Sequence, residues 1–189
     1  MIDYFLTSSN LFTRILLCTG IIALGFTWGI RGGRKSWIPR NSTSRVNFFF
    51  QLTIILPQLL GVKYLPLPET SITPIIQLIG LVIFYLGVIL SIWSRMTMGK
   101  AWGMPGSWDT KREKKLIING PFKYTKNPIY VGLLFVFFGL ELALNSYLSL
   151  ATILLYFYFQ KMAEKEEKIL EKEFGKEYLE YKKTTPKFL

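Results

Sequence analysis

The chain contains no histidine and only one cysteine, Cys18, among its 189 residues. Zinc sites with imidazole ligands and Ser-His-Asp triads are therefore excluded, and a single cysteine cannot form a disulfide within the chain. Acidic residues are also few, at 12 against 23 lysines and arginines, so the formal net charge is +11. Any chemistry must use carboxylates, lysines, arginines, tyrosines, backbone groups or a cofactor, and no metal site is expected.

Apolar residues, in contrast, make up half of the sequence. A soluble domain of this length would expose large apolar patches, so the composition predicts a membrane protein. A membrane-crossing helix needs about 20 apolar residues, and we predict an all-α bundle of about five transmembrane helices with an amphipathic C-terminal helix. The uncharged runs behind this prediction are 15–30, 46–62, 70–94, 127–140 and 142–160.

The fourth run is short for a span. It is predicted to form a tight hairpin with the fifth run, turning at Asn145-Ser146. The alternative is a pair of buried helices that does not cross the membrane. Residues 1–79 are predicted to hold the N-terminal spans and the start of the third, and residues 80–189 a catalytic core.

The basic residues are distributed unevenly between the predicted loops. Of the 23 lysines and arginines, 21 fall in residues 31–45, 95–126 and 161–189, which alternate with loops that carry almost none. The positive-inside rule then places these segments in the cytoplasm and the N-terminus outside, in the inner membrane if the cell is bacterial. The charge is expected to contact anionic membrane lipids, and no nucleic-acid partner is predicted.

The pair Asn127-Pro128 is typical of a helix start, with Asn as the N-cap and Pro at the first helical position. The free N–H groups of such an end favour anions or polar ligand groups. Tyr124 and Tyr130 flank this start on the basic cytoplasmic side. By itself the pattern also fits an ordinary capped transmembrane helix.

The tail after residue 161 alternates in charge, as a solvated helix does. One face of it is nevertheless apolar. The residues of this face are Met162, Ile169, Leu170, Phe174, Tyr178 and Tyr181. Glu166 lies on this face with Glu167 beside it, and a carboxylate there needs a partner or a ligand. If the fifth run continues unbroken into the tail, Glu166 lies level with the helix start at Asn127. The alternative is a solvated face whose glutamates pair with lysines.

Four motifs of this chain together resemble the isoprenylcysteine carboxyl methyltransferase family and the related phospholipid methyltransferases. The run K-N-P-I-Y-V-G at 126–132 is similar to the family's R-H-P-x-Y-x-G. The tail from Glu166 to Tyr181 matches E-E-x-x-L-x-x-x-F-G-x-x-Y-x-x-Y. Upstream, Arg95 to Trp102 is similar to R-x-x-L-G-x-x-W, and Leu116 to Gly120 matches L-V-x-x-G. The resemblance covers roughly residues 80–189.

The resemblance implies a membrane methyltransferase with a cytoplasmic S-adenosylmethionine site and a lipophilic acceptor that enters from the bilayer. We expect Glu166, Glu167 and Arg95 in catalytic roles, with Arg95 near an anionic headgroup. The expected cofactor-binding residues are Leu116, Gly120, Tyr124, Lys126, Asn127, Pro128, Tyr130, Gly132 and Glu166. A carboxylate acceptor needs no general base, whereas an amine or thiol would need one of the two glutamates.

The chain departs from the family pattern at two places. The Arg-His pair is Lys126-Asn127 here, and no arginine stands in residues 160–163, where eukaryotic members carry arginines. These departures leave open whether the acceptor is a carboxylate, an amine or a thiol. Two alternatives remain, an NAD(P)H-dependent membrane reductase of the sterol type and a non-catalytic membrane protein of the same fold. The oligomeric state is not predicted.

Overall fold

A computed structural model describes residues 2–32, 51–101 and 115–188. Within these ranges the chain is helical, and its one β contact is an isolated bridge between Pro66 and Ser146. Six α-helices organise it, with short 3₁₀ segments and one π-helical segment, Gln51–Ile55, between them. The α-helices are α1 (Ile2–Gly32), α2 (Leu56–Leu59), α3 (Thr73–Met98), α4 (Pro128–Ala143), α5 (Thr152–Phe174) and α6 (Lys176–Thr184).

Helices α3 and α4 pack closely through glycines that are spaced seven residues apart on each helix. A Cβ atom added at Gly139 would lie 2.3 Å from the backbone nitrogen of Phe84, and one at Gly80 would lie 2.4 Å from that of Ala143. Two helical turns further along α3, a Cβ at Gly87 would lie 2.6 Å from the carbonyl oxygen of Gly132. Such backbone contact is the way small residues bring helices together where apolar burial gives little gain.

Helix α1 packs against α3 and completes this core. Leu17 is fully buried against Phe84 and Leu140 in one apolar cluster. Two hydroxyl groups add directed contacts, because the Tyr85 hydroxyl lies 2.8 Å from the Leu16 carbonyl oxygen and 2.7 Å from Thr19 Oγ1. Helix α1 is therefore held at a defined rotation against α3.

The hairpin between α4 and α5 turns where the sequence predicts it. Asn145 adopts a positive φ of 54°, and Ser146 Oγ accepts a hydrogen bond from Leu148 N at 3.1 Å. Backbone hydrogen bonds join this turn to the loop after α2, including Tyr147 N to Leu65 O at 2.9 Å. The turn at Asn145-Ser146 is confirmed, and the loops around 65 and 145 lie at the same end of the bundle.

A buried polar pair lies near the same end. Gln58 Nε2 on α2 donates to Glu141 Oε2 on α4 at 2.9 Å, and Glu141 has no exposed surface. Because an unpaired carboxyl group in such surroundings would be costly, this hydrogen bond fixes the short helix α2 against α4.

The predicted spans are reproduced in part. Among the described residues, two helices are long and apolar enough to cross a membrane, with windows at Leu11–Trp28 and Thr73–Met98, and α4 is apolar but has only 16 residues. After the predicted turn and a 3₁₀ segment, α5 begins at Thr152, so only the part of the fifth run from Thr152 onward lies in a long α-helix. Part of the second run lies outside the described residues, and five spans and the membrane orientation stay predictions.

The glycine contact predicts that Gly139→Ala separates α3 from α4. The new methyl group would collide with backbone atoms of α3, which cannot rotate away, so we expect a loss of about 1–3 kcal/mol in unfolding free energy. Thermal or denaturant unfolding in detergent measures this loss. Leu86→Ala, on the exposed face of α3, is the control and should change stability much less. Equal effects would contradict the proposed close contact.

Candidate active site

Several of the predicted site residues lie together around the start of α4, and this group is the candidate site. A 3₁₀ turn at Gly120–Lys123 leads into it, and α4 begins at Pro128. Asn127 occupies the N-cap position, but its side chain makes no capping hydrogen bond to the helix. Instead its Nδ2 donates to the carbonyl oxygen of Lys187 at 2.9 Å. The helix start is thus confirmed, whereas the expected side-chain cap is replaced by a long-range contact.

Helix α5 carries the two adjacent glutamates to this helix start. It runs unbroken from Thr152 to Phe174, so the condition under which Glu166 is expected level with Asn127 is met. The Tyr130 hydroxyl donates to Glu166 Oε1 at 2.8 Å. The Tyr130 ring also stacks on Phe159, with centroids 4.8 Å apart and an interplanar angle of 28°. A carboxylate and two aromatic rings therefore meet beside the first turn of α4.

Glu167 is the more buried of the two glutamates and lies between two lysines. Lys126 Nζ is 3.2 Å from Oε1, and Lys182 Nζ is 3.1 Å from Oε2. Lys126 and Glu167 are both almost fully buried, with side-chain exposures of 7% and 8%. Lys182 also forms an ion pair with Glu171. These charges connect the turn before α4 with α5 and α6, and together they form one ionic cluster.

The ionic cluster changes the acidity of its members. Burial alone raises the pKa of the Glu167 carboxyl, but the Lys182 hydrogen bond and the Lys126 charge outweigh it and hold that pKa below its ordinary value of 4.5. Hydrogen bonds to Glu171 and then Glu167 raise the pKa of Lys182 above 10.5. Opposite charges at close range stabilise both ionised forms, so Glu167 and Lys182 stay charged at neutral pH.

Helix α6 closes the site from the side of the tail. Gly175, at a φ of 53°, breaks the helix after Phe174 and lets α6 take a new direction. Tyr178 becomes buried, and the Tyr181 hydroxyl donates to the Phe122 carbonyl oxygen at 2.6 Å. Burial raises the pKa of Tyr181 to about 12. The phenol therefore stays protonated and keeps donating at physiological pH.

Three other predicted site residues, Arg95, Gly132 and Gly120, make contacts of their own outside the cluster around Tyr130 and Glu167. Arg95 is buried at 1% exposure and donates to the Gly99 carbonyl oxygen at 3.0 Å, at the end of α3. Gly132 lies in the contact between α3 and α4, where an added Cβ would be 2.3 Å from Ser91 Oγ. Gly120 has a positive φ of 59° and packs on Thr97. These three residues shape the backbone around the site.

Tyr124 is mostly exposed and Leu116 is partly buried, so the roles predicted for both stay predictions. Trp102 lies outside the described residues. The motif residues that the structure brings together are Lys126, Asn127, Tyr130, Glu166 and Glu167.

Sequence reasoning missed several contributors to the site. Phe159 stacks on Tyr130, Lys182 pairs with Glu167, and Thr125 donates to the Lys187 carbonyl oxygen at 3.0 Å. Phe159 could have been found, because it stands seven residues before Glu166 and so on the same helix face. The partners of Thr125 and Lys182 depend on where the chain returns after α6, and no local pattern indicates them.

The buried ion pair gives a prediction for Glu167→Gln. Lys126 would keep its charge in a buried position with no carboxylate beside it, so we expect a loss of about 3–5 kcal/mol in unfolding free energy. Melting in detergent compares this variant with Glu177→Gln, an exposed glutamate on α6, which should change little. A stability equal to that of the control would contradict the buried pair.

The lowered pKa of Glu167 also predicts how this stability depends on pH. A carboxyl whose folded-state pKa lies below its unfolded value contributes stability above the unfolded value and loses it as pH falls through the folded one. The melting difference between wild type and Glu167→Gln should therefore be constant above about pH 4.5 and shrink below it. A difference that persists unchanged down to pH 3 would contradict this assignment.

Comparison with known proteins identifies the family. The profile of the phospholipid methyltransferases matches residues 75–177 of this chain. The chain is also similar to the protein-S-isoprenylcysteine O-methyltransferase of Xenopus laevis, at 29% identity over 126 residues. That match covers 62% of this chain and 44% of the relative, so the chain spans less than half the length of that relative. The chain belongs to the phospholipid methyltransferase family.

Proposed function

We propose that this protein is an integral membrane methyltransferase that uses S-adenosylmethionine and acts on a lipophilic acceptor. The observation that carries the proposal is the contact of Tyr130 with both Glu166 and Phe159 at the start of α4. The family assignment supports it, since both matches describe methyltransferases. They favour this reading over the sterol-type reductase and over a non-catalytic membrane protein.

The residues present fit a sulfonium cofactor. A sulfonium is a cation, and aromatic faces and carboxylates are the groups that attract cations in proteins. The stacked rings of Tyr130 and Phe159 stand beside the Glu166 carboxylate, which is partly buried. We propose that polar groups of the cofactor also approach the N-terminal end of α4, where the helix dipole favours anionic and polar groups. We propose that Tyr124, Lys126 and Pro128, which belong to the same turn and helix start, also contribute to the cofactor site.

S-adenosylmethionine, when bound, supplies an electrophilic methyl group. The chain's task is then to hold two partners in line and exclude water, because orientation provides most of the gain in such a displacement. Tyr130 fixes the Glu166 carboxylate through its hydroxyl group, and Phe159 fixes the Tyr130 ring. No histidine is needed for this arrangement.

The two glutamates have different roles in this proposal. Glu167 is held between two lysines with a lowered pKa, which makes it a weak proton acceptor and a structural anion. Glu166 has a tyrosine hydroxyl as its neighbour, and it contacts the cofactor or accepts a proton from an amine or thiol. Arg95 is proposed to shape the end of α3 near the acceptor headgroup.

The acceptor is proposed to enter sideways from the bilayer. Helix α3 and the apolar part of α5 expose large side chains such as Leu86, Ile89 and Leu154, as lipid-facing surfaces do. With 21 of 23 basic residues on three segments, we propose that the site faces the cytoplasm and that membrane lipids contact its basic rim.

The proposal predicts that Glu166→Gln weakens binding of S-adenosylmethionine. Loss of a charged hydrogen-bonding partner should reduce affinity about 10- to 100-fold, as measured by calorimetry on detergent-purified protein. Glu177→Gln is the matched control and should bind like wild type. Equal affinity and turnover in Glu166→Gln and the control would remove Glu166 from the site. Failure of the wild type to bind would overturn the cofactor assignment.

A further inference from the structure

Residues Thr185–Phe188, here called the anchor segment, follow α6 and lie against the turn that leads into α4. The Lys187 carbonyl oxygen accepts hydrogen bonds from Thr125 Oγ1 at 3.0 Å and from Asn127 Nδ2 at 2.9 Å. The Pro186 carbonyl oxygen accepts a third, from the Lys126 backbone N–H at 2.9 Å. Two carbonyl groups thus hold three consecutive residues of the turn.

The sequence explains why the chain leaves α6 and turns toward the start of α4. Pro186 cannot continue a helix, and α6 ends at Thr184 with Thr185 already extended. Thr185 is buried at 6% exposure, so the chain turns inward after the helix. The anchor segment then runs beside the start of α4 and presents its carbonyl groups to it.

The side chain of Phe188 reaches the aromatic centre of the site. Its ring lies 5.5 Å from that of Tyr156, and it packs against the cluster that contains Tyr130 and Phe159. The anchor segment therefore contacts both parts of the site, the turn through its backbone and the ring stack through Phe188. The ion pair of Lys187 with Glu164 at 3.4 Å is partly exposed and adds little.

We propose that Asn127 and Phe188 are positioning residues, which act through the anchor segment to fix Tyr130 and Glu166 for methyl transfer. This inference rests on the proposed function. The Asn127 amide group donates a hydrogen bond to the Lys187 carbonyl oxygen, and the side chain is buried, with 8% of it exposed. Its contribution is to hold the turn in place.

Small displacements at this position matter for the chemistry. Tyr130 follows Asn127 by three residues, within the first turn of α4, so a shift of the turn moves the hydroxyl that orients Glu166. A misplacement of about 1 Å can cost a factor of about 100 in a reaction that depends on alignment. Loss of the anchor contacts should therefore lower kcat without unfolding the bundle.

Two matched pairs of variants test the inference on the full chain in detergent. Thr125→Val removes one donor to the Lys187 carbonyl oxygen. Its control, Thr184→Val, removes an exposed hydroxyl just before the anchor segment that donates to the Tyr181 carbonyl oxygen. Phe188→Ala removes the packed ring, and Phe157→Ala removes a largely exposed ring of α5. Asn127→Ala removes the other side-chain donor to the Lys187 carbonyl oxygen and is compared with the same control, Thr184→Val.

The readouts are S-adenosylmethionine affinity by calorimetry, kcat and KM with membrane lipid as methyl acceptor, and hydrogen exchange of the Lys126 amide. Asn127→Ala, Thr125→Val and Phe188→Ala should each lower kcat or affinity by about fivefold to tenfold, the effect of one lost hydrogen bond or contact. They should also speed exchange of the Lys126 amide, whose acceptor is Pro186 O. Both controls should match wild type.

The outcomes separate this inference from the proposed function. If wild type binds S-adenosylmethionine and the three variants keep wild-type affinity, kcat and exchange, the positioning role is wrong while the function stands. If exchange of the Lys126 amide rises but affinity and kcat do not change, the anchor segment is structural only, which also overturns the inference. If wild type does not bind, the proposed function fails, and the exchange data alone report whether the anchor contacts exist.

Discussion

Backbone contact between α3 and α4 is the constraint on which the rest of the structure depends. Glycines at 80, 87, 132 and 139 remove the side chains that would otherwise separate the two helices. Because the contact extends along most of α4, it fixes both ends of that helix. At one end this positions Asn127 and Tyr130 for the site, and at the other it positions Glu141 and the hairpin turn at Asn145.

The site itself is assembled from segments far apart in sequence, and two adjacent residues of α5 contact different partners in it. Glu166 and Glu167 are neighbours on α5, so their side chains point about 100° apart around the helix. One meets Tyr130, and the other meets Lys126 and Lys182. The ionic cluster holds α5 and α6 against the start of α4, and Glu166 is the carboxylate that we propose for contact with the ligand.

The absence of histidine is accommodated by the same arrangement. Asn127 stands where the resembled family has histidine, and its amide group bonds to the backbone of the anchor segment. A neutral donor is sufficient for that contact, so no titrating group is required there. Glu167 and Tyr181 keep their protonation states around neutral pH, because the pKa of the carboxyl is lowered and that of the phenol is raised.

The sequence by itself determined the helical class, the helix start at Pro128, the turn at Asn145 and the continuous helix that carries Glu166, because each depends on local residue pattern. It also indicated the family through motifs that stand in order along the chain. Tertiary structure decided which glutamate is buried, that Gly132 serves helix packing, that α5 begins only at Thr152, and that Lys187 and Phe188 contact the site. These features depend on which distant segments meet, and that is set by the glycine contact and by the direction the chain takes after Gly175 and Pro186.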